Sequence, residues 1–298
     1  MDVKNFEHLM DLVKYKHAKK IAVAAAADAE VLEVVERAES IKLAEFILIG
    51  DAAKIKNIIK DKGWNLKAEI IDEKDHKKAA ERAVDLVVNG QAGTLMKGML
   101  HTSVFLKAIL NKEKGLNTGK HITQISILEK ENDEGLLFIT DCAITVTPDL
   151  LGKKEVLENA VELAHKLGNE MPKVAILASL EVVNPSMQDT IDAAVLSKMA
   201  DRGQIKGCIV DGPFAFDNAV SSEAAKAKGI IGPVAGNADI IVVPNLTVGN
   251  TLTKSITYIA KKTVAAAIVG AAVPIIMTSR TDNIENKLLS IAISVYNS

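Results

Sequence analysis

Aromatic side chains are scarce in this 298-residue chain, 3% of the total with a single tryptophan. Proteins that hold single-stranded nucleic acid stack its bases on such rings, so that class is excluded. Charge of one sign is missing too: 36 Lys and Arg face 38 Asp and Glu, a net charge of −2. No broad field gathers polyanions, and nucleic acid is not expected as a partner. The two cysteines, Cys142 and Cys208, lie far apart with no CxxC pair or His cluster beside them. A disulfide framework and a zinc site are therefore excluded, no metal is expected, and a reducing cytoplasmic setting fits best. Long apolar runs are also lacking. The longest, "TVAAAIVGAAVPIIM", is broken by Gly270 and Pro274 and is too short to cross a bilayer as one helix. It reads as a buried helix, a turn and a strand. The opening "MDVKNFEHLMDLVKYKHAKK" mixes charge with apolar residues and has no signal-peptide core, so a membrane is not expected as a partner.

What the chain has in quantity is short apolar strands. Hydrophobic residues make up 48% of it, enough for one large or two medium domains. The runs "KIAVAAAA", "AEFILIG", "AEIIDE", "GTLMKG", "KVAILAS", "GCIVDG", "DIIVVP" and "VPIIM" are separated by amphipathic segments rich in Ala, Leu, Glu and Lys. Strands this apolar need cover on both faces, which predicts an α/β fold with mostly parallel sheets and flanking helices. One stretch departs from the alternation: "HITQISILEKENDEGLLFITD" holds two strand-like runs around a polar turn and predicts a hairpin. After it, Pro148 and Asp149 open a helix. The first crossing between domains is expected there, giving a discontinuous first domain of residues 1–145 plus 277–298 and a second of 146–276.

In open α/β sheets ligands gather beyond the carboxyl ends of strands. Five strand exits carry polar or charged residues: "KGMLHTS", "DCA", "DGPFAFD", "NLTVGNT" and "TSRTDN". Many Ser, Thr, Asn and Asp residues there are explained as helix caps. Arg280 is not, because a cation in the first turn of a helix opposes the macrodipole and makes better sense reaching toward an anion. Lys97 and Lys107 are weaker candidates of the same kind, and His101 is a ligand-binding or a capping residue. In "NLTVGNT", Pro244 is expected to end the strand and Asn250 with Thr251 to cap the next helix. Cys142 has no adjacent base and reads as a small buried thiol; Cys208 reads as strand core. The glycines of "GIIGPVAGNAD" do not open a helix after a strand, so the dinucleotide signal is weak.

Taken in order, "KGMLHTSVFLKAIL", "DCAITVTPD", "DGPFAFDNAVSSEAAKAKG", "PVAGNADIIVVPNLTVGNTLTKS" and "TSRTDNIENK" resemble the phosphotransacylase family of phosphate acetyl- and butyryltransferases. The resemblance implies two α/β/α domains similar to the isocitrate and isopropylmalate dehydrogenases, with the active site in the interdomain cleft. It implies reversible acyl transfer between coenzyme A and inorganic phosphate, with acyl-CoA, phosphate and acyl phosphate as substrates and no cofactor. A cytoplasmic homo-oligomer built on a dimer is implied as well. Residue by residue, Ser279 and Arg280 match the family's Ser-Arg pair, Arg for phosphate and the oxyanion, Ser for the thiol or thioester. Asn245, Gly249, Asn250 and Thr251 match its Asn-Thr-Gly-Asn-Thr loop, with Thr247 and Val248 differing in the middle, and Asp211 opens its Asp-Gly-Pro segment. Lys97, His101, Thr102, Ser103 and Lys107 fall in the first matching segment as substrate-binding candidates. Two departures stand out: Asn286 replaces the acid proposed as general base, leaving Glu285 as candidate, and Lys107 stands where an arginine is common. Both lean toward the butyryltransferases.

The chemistry this implies is attack of the coenzyme A thiolate on an acyl phosphate. A thiol with a pKa of about 8.5 is only a few per cent ionised near pH 7, a deficit that a carboxylate such as Glu285 relieves. No Cys or Ser has a base to support a covalent acyl-enzyme, so direct transfer in a ternary complex is expected. Two other readings stay open on the sequence: a metal- and nicotinamide-dependent dehydrogenase of the same fold, with Asp141 and Asp211 as its scattered acids, and a non-catalytic acyl-CoA or anion-binding protein. Val104, Phe105 and Phe214 read as core rather than as an acyl pocket.

Overall fold

Strands and helices alternate along most of the computed structural model, which describes residues 3–16, 20–113, 115–131 and 135–298. The chain divides into two compact units. One, here the terminal unit, holds Phe6–Lys120 and Ala265–Ser298; the other, the central unit, holds His121–Val264 with Met1–Asn5.

In the terminal unit the strands are β1 (Ile21–Ala24), β2 (Phe46–Gly50), β3 (Glu69–Asp72), β4 (Thr94–Lys97), β10 (Ala265–Val269) and β11 (Ile275–Ile276), in the order β3-β2-β1-β4-β11-β10. All neighbours are parallel except β10 and β11, which meet as Ile268 opposite Ile275. The helices are α1 (Phe6–Val13), α2 (Ala29–Ser40), α3 (Ala52–Lys62), α4 (His76–Val88), α5 (Thr102–Ile109) and α11 (Ile284–Tyr296). Three of them begin at an aspartate, Asp28, Asp51 and Asp75, whose carboxylate accepts first-turn N–H groups. Val23, Leu48, Leu95, Phe105 and Ile291 are fully buried, each worth roughly 1.5–3 kcal/mol over exposure.

In the central unit the strands are β5 (Thr123–Glu129), β6 (Leu136–Thr140), β7 (Lys173–Leu177), β8 (Ile209–Phe214) and β9 (Ile240–Val242), in the order β5-β6-β9-β7-β8. The expected hairpin is present: β5 and β6 run antiparallel, with Ile127 opposite Phe138, while the remaining pairs are parallel. Part of its turn, residues 132–134, lies outside the described residues. Helix α6 (Leu150–Lys166) starts where Pro148 and Asp149 predict it, with Asp149 accepting from the Gly152 N–H at 2.8 Å. The other helices are α7 (Gln188–Asp201), α8 (Phe216–Val220), α9 (Ser222–Ala227) and α10 (Leu246–Tyr258). Ile139, Ala175, Phe214 and Ile241 join Cys142 in its core cluster.

Several expectations need correcting. The unit boundaries fall near residues 121 and 265 rather than 146 and 277. Strand β6 pairs with β9, so the hairpin belongs to the central unit, and β11 pairs with β4, so β10 and β11 return to the terminal one. The start of "TVAAAIVGAAVPIIM" is strand β10, not a helix; Gly270, at φ 98°, turns the chain after only five strand residues. Cys208 is half-buried and precedes β8 instead of lying in it. Among the described residues no helix is long and apolar enough to cross a membrane.

Candidate active site

Strand β4 carries Lys97 to the carboxyl edge of the terminal unit's sheet. Its ammonium donates to the carbonyls of Gly98 at 3.2 Å and Leu100 at 3.0 Å. The next residue has to be glycine: a Cβ on Gly98 would stand 2.4 Å from the Ala25 carbonyl oxygen and 2.6 Å from that of Ala24. The contact is held from the other side, since the Gly98 N–H bonds to the Ala24 carbonyl and the Met99 N–H to that of Ala25, each at 2.8 Å. Ala25 takes φ 56°, a left-handed conformation that costs a non-glycine residue about 1 kcal/mol or more.

The segment from Met96 to Met99 forms one side of a pocket of about 200 Å³. Lys97, Ser279, Arg280 and Lys287 line it together with Asp28 and Glu30. Burial and the neighbouring Arg280 guanidinium both lower the Lys97 pKa, burial more. The pocket's charges are unevenly matched. Asp28 turns its carboxylate to the N–H groups of Glu30 and Val31, at 3.1 and 3.2 Å, so these first-turn donors of α2 are taken. Glu30 faces Lys287 at 3.9 Å. Arg280 has no ion-pair partner among the described residues.

Ser279 and Arg280 lie in an exposed turn, ahead of Asn283, the N-cap of α11. Arg280 is thus outside the helix rather than in its first turn, and the macrodipole argument does not apply to it; the uncompensated cation beside Lys97 does. The turn is braced by the Ser279 N–H on Asp282 at 2.8 Å and by a hydroxyl contact between Ser279 and Thr281 at 2.9 Å. Glu285 is exposed in the first turn of α11 and is not among the pocket's lining residues. Asn286 is buried, its N–H on the Asn283 side chain at 2.8 Å.

The other terminal-unit candidates are not brought to this pocket. His101 occupies the N-cap position of α5 without a side-chain cap bond, Thr102 and Ser103 fill its first turn, and Lys107 its last. All four are exposed.

In the central unit two of the candidates, Gly249 and Asn250, lie against the turn that follows β6. The Asp141 carboxylate, almost fully buried, accepts N–H groups from Ala143 at 2.8 Å, Ile144 at 3.1 Å, Thr145 at 2.9 Å and Gln124 at 3.3 Å. The segment "NLTVGNT" is not a loop after the strand: α10 starts at Leu246, so Thr247 to Thr251 are helical. Asn245, rather than Asn250 or Thr251, is the cap, accepting from the Val248 N–H at 3.1 Å. Asn250 instead donates to the Cys142 carbonyl at 3.2 Å, tying α10 to the Asp141 turn. Thr247 and Thr251 are exposed. Asp211 lies inside β8, half-buried, with burial raising its pKa against the lowering effect of the Gly212 N–H at 2.8 Å. Cys142 is a core thiol, as expected, with burial pushing its pKa to about 11.

Sequence reasoning missed Asp28, Glu30 and Lys287. The signal was present for the first two: "DAE" follows the apolar run of β1, a sixth strand exit. Lys287 looks like one more surface lysine until α11 is folded. Among the described residues no three His, Cys, Asp or Glu side chains gather as metal ligands would.

The profile of the family described as Phosphate acetyl/butaryl transferase matches residues 65–295. The chain is 47% identical to the phosphate butyryltransferase of Clostridium beijerinckii over 98% of this chain and 97% of that one. It is 43% identical to the phosphate acetyltransferase of Thermotoga maritima, over 97% and 98%. A branched-chain phosphotransacylase from Enterococcus faecalis V583, known from its crystal structure, superposes with a TM-score of 0.83 at 31% identity, over 94% of this chain and 98% of that one. Profile match, near full-length identity and shared fold together show that the chain is an acyltransferase and belongs to the phosphate acetyl/butaryl transferase family.

Proposed function

We propose that the chain transfers a short acyl group, butyryl by preference, reversibly between coenzyme A and inorganic phosphate. The observation that carries this reading is the unpaired Arg280 guanidinium beside the half-buried Lys97 ammonium. Two like charges held together without a matching carboxylate are stabilised by a dianion such as phosphate. Butyryl as the acyl group is supported by the 47% identity to a phosphate butyryltransferase. Coenzyme A and phosphate are substrates in this reading, and no cofactor takes part.

In the thioester-forming direction the thiolate sulfur attacks the acyl carbon, a C–S bond forms, and the C–O bond to phosphate breaks with the electron pair leaving on phosphate. Arg280 and Lys97 counter the charge on phosphate and on the tetrahedral oxyanion, the larger electrostatic task. Ser279 orients the thiol, and Glu285 is the candidate acceptor of its proton. Asp211, Asn245, Thr247, Gly249, Asn250 and Thr251, with His101, Thr102, Ser103 and Lys107, are the proposed substrate-binding residues. Covalent catalysis by Cys142 is disfavoured by its raised pKa. The likeness to isocitrate and isopropylmalate dehydrogenases belongs to the same proposal, supported by the parallel strands and helices of each unit. So do a homo-oligomer built on a dimer, supported by family membership, and a cytoplasmic location, which two cysteines outside any disulfide favour.

One assay tests the reading. Loss of thioester absorbance is followed with butyryl-CoA and phosphate, acetyl-CoA being run beside it. Phosphate-dependent loss is expected, with Arg280→Ala lowering kcat/KM by roughly 10²–10³ while folding normally. Binding of acyl-CoA without such loss would make the chain a sensor, reduction of a nicotinamide would make it a dehydrogenase, and a fully active Arg280→Ala would remove Arg280 from the mechanism.

A further inference from the structure

The pocket that holds Lys97 and Arg280 has a second face with no part in phosphate binding. Val31 and Val34, one turn apart on α2, and Met96 and Met99, on either side of Lys97 and Gly98, supply its apolar lining, and Thr278 precedes Ser279 in the polar part. Val34 and Met96 are buried, each 3% exposed, and form the deeper part; Val31 is half-buried and Met99, at 37%, stands at the rim. Apolar side chains on one wall and unpaired cations on another suit a ligand that is apolar at one end and anionic at the other. A short-chain acyl phosphate has that build.

Size narrows the occupant. About 200 Å³ is small against the roughly 300–1,000 Å³ of pockets that enclose a drug-sized ligand. The whole of an acyl-CoA does not fit, but its acyl end does. Nor is the pocket free to deepen through its backbone, since at Gly98 the chain already touches the carbonyls of Ala24 and Ala25. Its apolar wall therefore consists of four side chains, two of them methionines that adjust to differently shaped partners.

We infer that this apolar wall seats the acyl chain, and that Val31 and Met99 set the chain length the enzyme accepts. The inference rests on the acyl-transfer reading above and adds to it where the chain sits. It is tested by kcat/KM with acetyl-, butyryl- and hexanoyl-CoA, each with saturating phosphate, on wild type, Val31→Phe and Met99→Ala. Hydrophobic pockets discriminate about tenfold or more per methylene. Val31→Phe shortens the pocket and is expected to cut the butyryl-to-acetyl ratio at least tenfold. Met99→Ala opens the rim and is expected to raise the hexanoyl-to-butyryl ratio by a similar factor, with the KM for phosphate unchanged in both. Should Val31→Phe fail to fold, Met99→Ala carries the test alone, because its side chain is partly exposed. Active variants whose chain-length ratios stay at the wild-type values overturn the inference and leave acyl transfer standing. A wild type that turns over none of the three thioesters takes down both.

Discussion

Gly249 of α10 lies against the Asp141 carbonyl so closely that a Cβ at this position would stand 2.3 Å from the oxygen. The Asp141 turn cannot give way, because its carboxylate already holds the N–H groups of Ala143, Ile144 and Thr145. In Gly249→Ala, therefore, α10 must move. The strain of forcing a methyl into a packed contact is typically about 1–3 kcal/mol, opposed by the roughly 1 kcal/mol that Ala gains over Gly in a helix. A net fall in thermal midpoint is expected, with a larger fall in kcat/KM as Asn245, Thr247 and Asn250 shift together. Calorimetry beside the thioester assay checks both, and a variant more stable than wild type would contradict the close packing.

Lys97 and Arg280 give a second prediction. The Lys97 pKa is lowered below 10.5 by burial and then by Arg280. Between the lowered value and 10.5 the unfolded chain binds more protons than the folded one, so this group makes stability rise with pH across that window. Arg280→Met removes the like charge, moves the Lys97 pKa back up and shrinks the rise. Carbon-13 NMR of the Lys97 side chain across alkaline pH measures the shift directly. An identical titration in wild type and variant would mean that the two cations do not sense each other.

How legible all this was in the sequence varies with the kind of information. Strands such as "AEFILIG" and "DIIVVP" announce themselves by unbroken apolar character, because burial on both faces leaves no other composition. "TVAAAIVG" misleads, since alanine favours helices and the sheet pairing that makes β10 a strand is not written in its composition. Lys97 and the Ser279–Arg280 pair were visible as polar strand exits. The environment of Arg280 was not: its isolation depends on Asp28 turning to its own helix and Glu30 facing Lys287, pairings that spacing does not encode. Asn245, Asn250 and Thr251 are all plausible caps by residue type, and only the point at which the helix starts chooses among them.

Glu285 sits where two roles predict different outcomes. As an acid in the first turn of α11 it favours the helix by about 0.3–1 kcal/mol. As the thiol's proton acceptor it contributes roughly 10²-fold to turnover. Glu285→Gln is expected to show both a small stability loss and slower thioester formation, the latter partly relieved as pH approaches the thiol pKa of about 8.5. A pH–rate profile of thioester formation separates them. If the variant loses stability alone and keeps the wild-type profile, Glu285 serves the helix and the base lies elsewhere.

Asp211 joins a raised carboxyl pKa to a place among the proposed substrate-binding residues. Burial raises the pKa above 3.8, and the Gly212 N–H only partly offsets it. Between 3.8 and the raised value the folded chain binds more protons than the unfolded one, so this group makes stability fall as pH rises through that window. Above it the full cost of a half-buried charge remains. Asp211→Asn keeps an oxygen for the Gly212 N–H and removes the charge. The variant is expected to be more stable than wild type at neutral pH, by no more than about 1 kcal/mol because solvent screens a half-exposed group. That gap should close on acidification toward pH 3.8. Urea titrations at several pH values measure it, and kcat/KM in the same samples shows whether the charge is kept for the substrate. A variant more stable and fully active would place Asp211 outside the binding residues, whereas one more stable but weakened in turnover marks a carboxylate held at a cost to the fold because the reaction needs it.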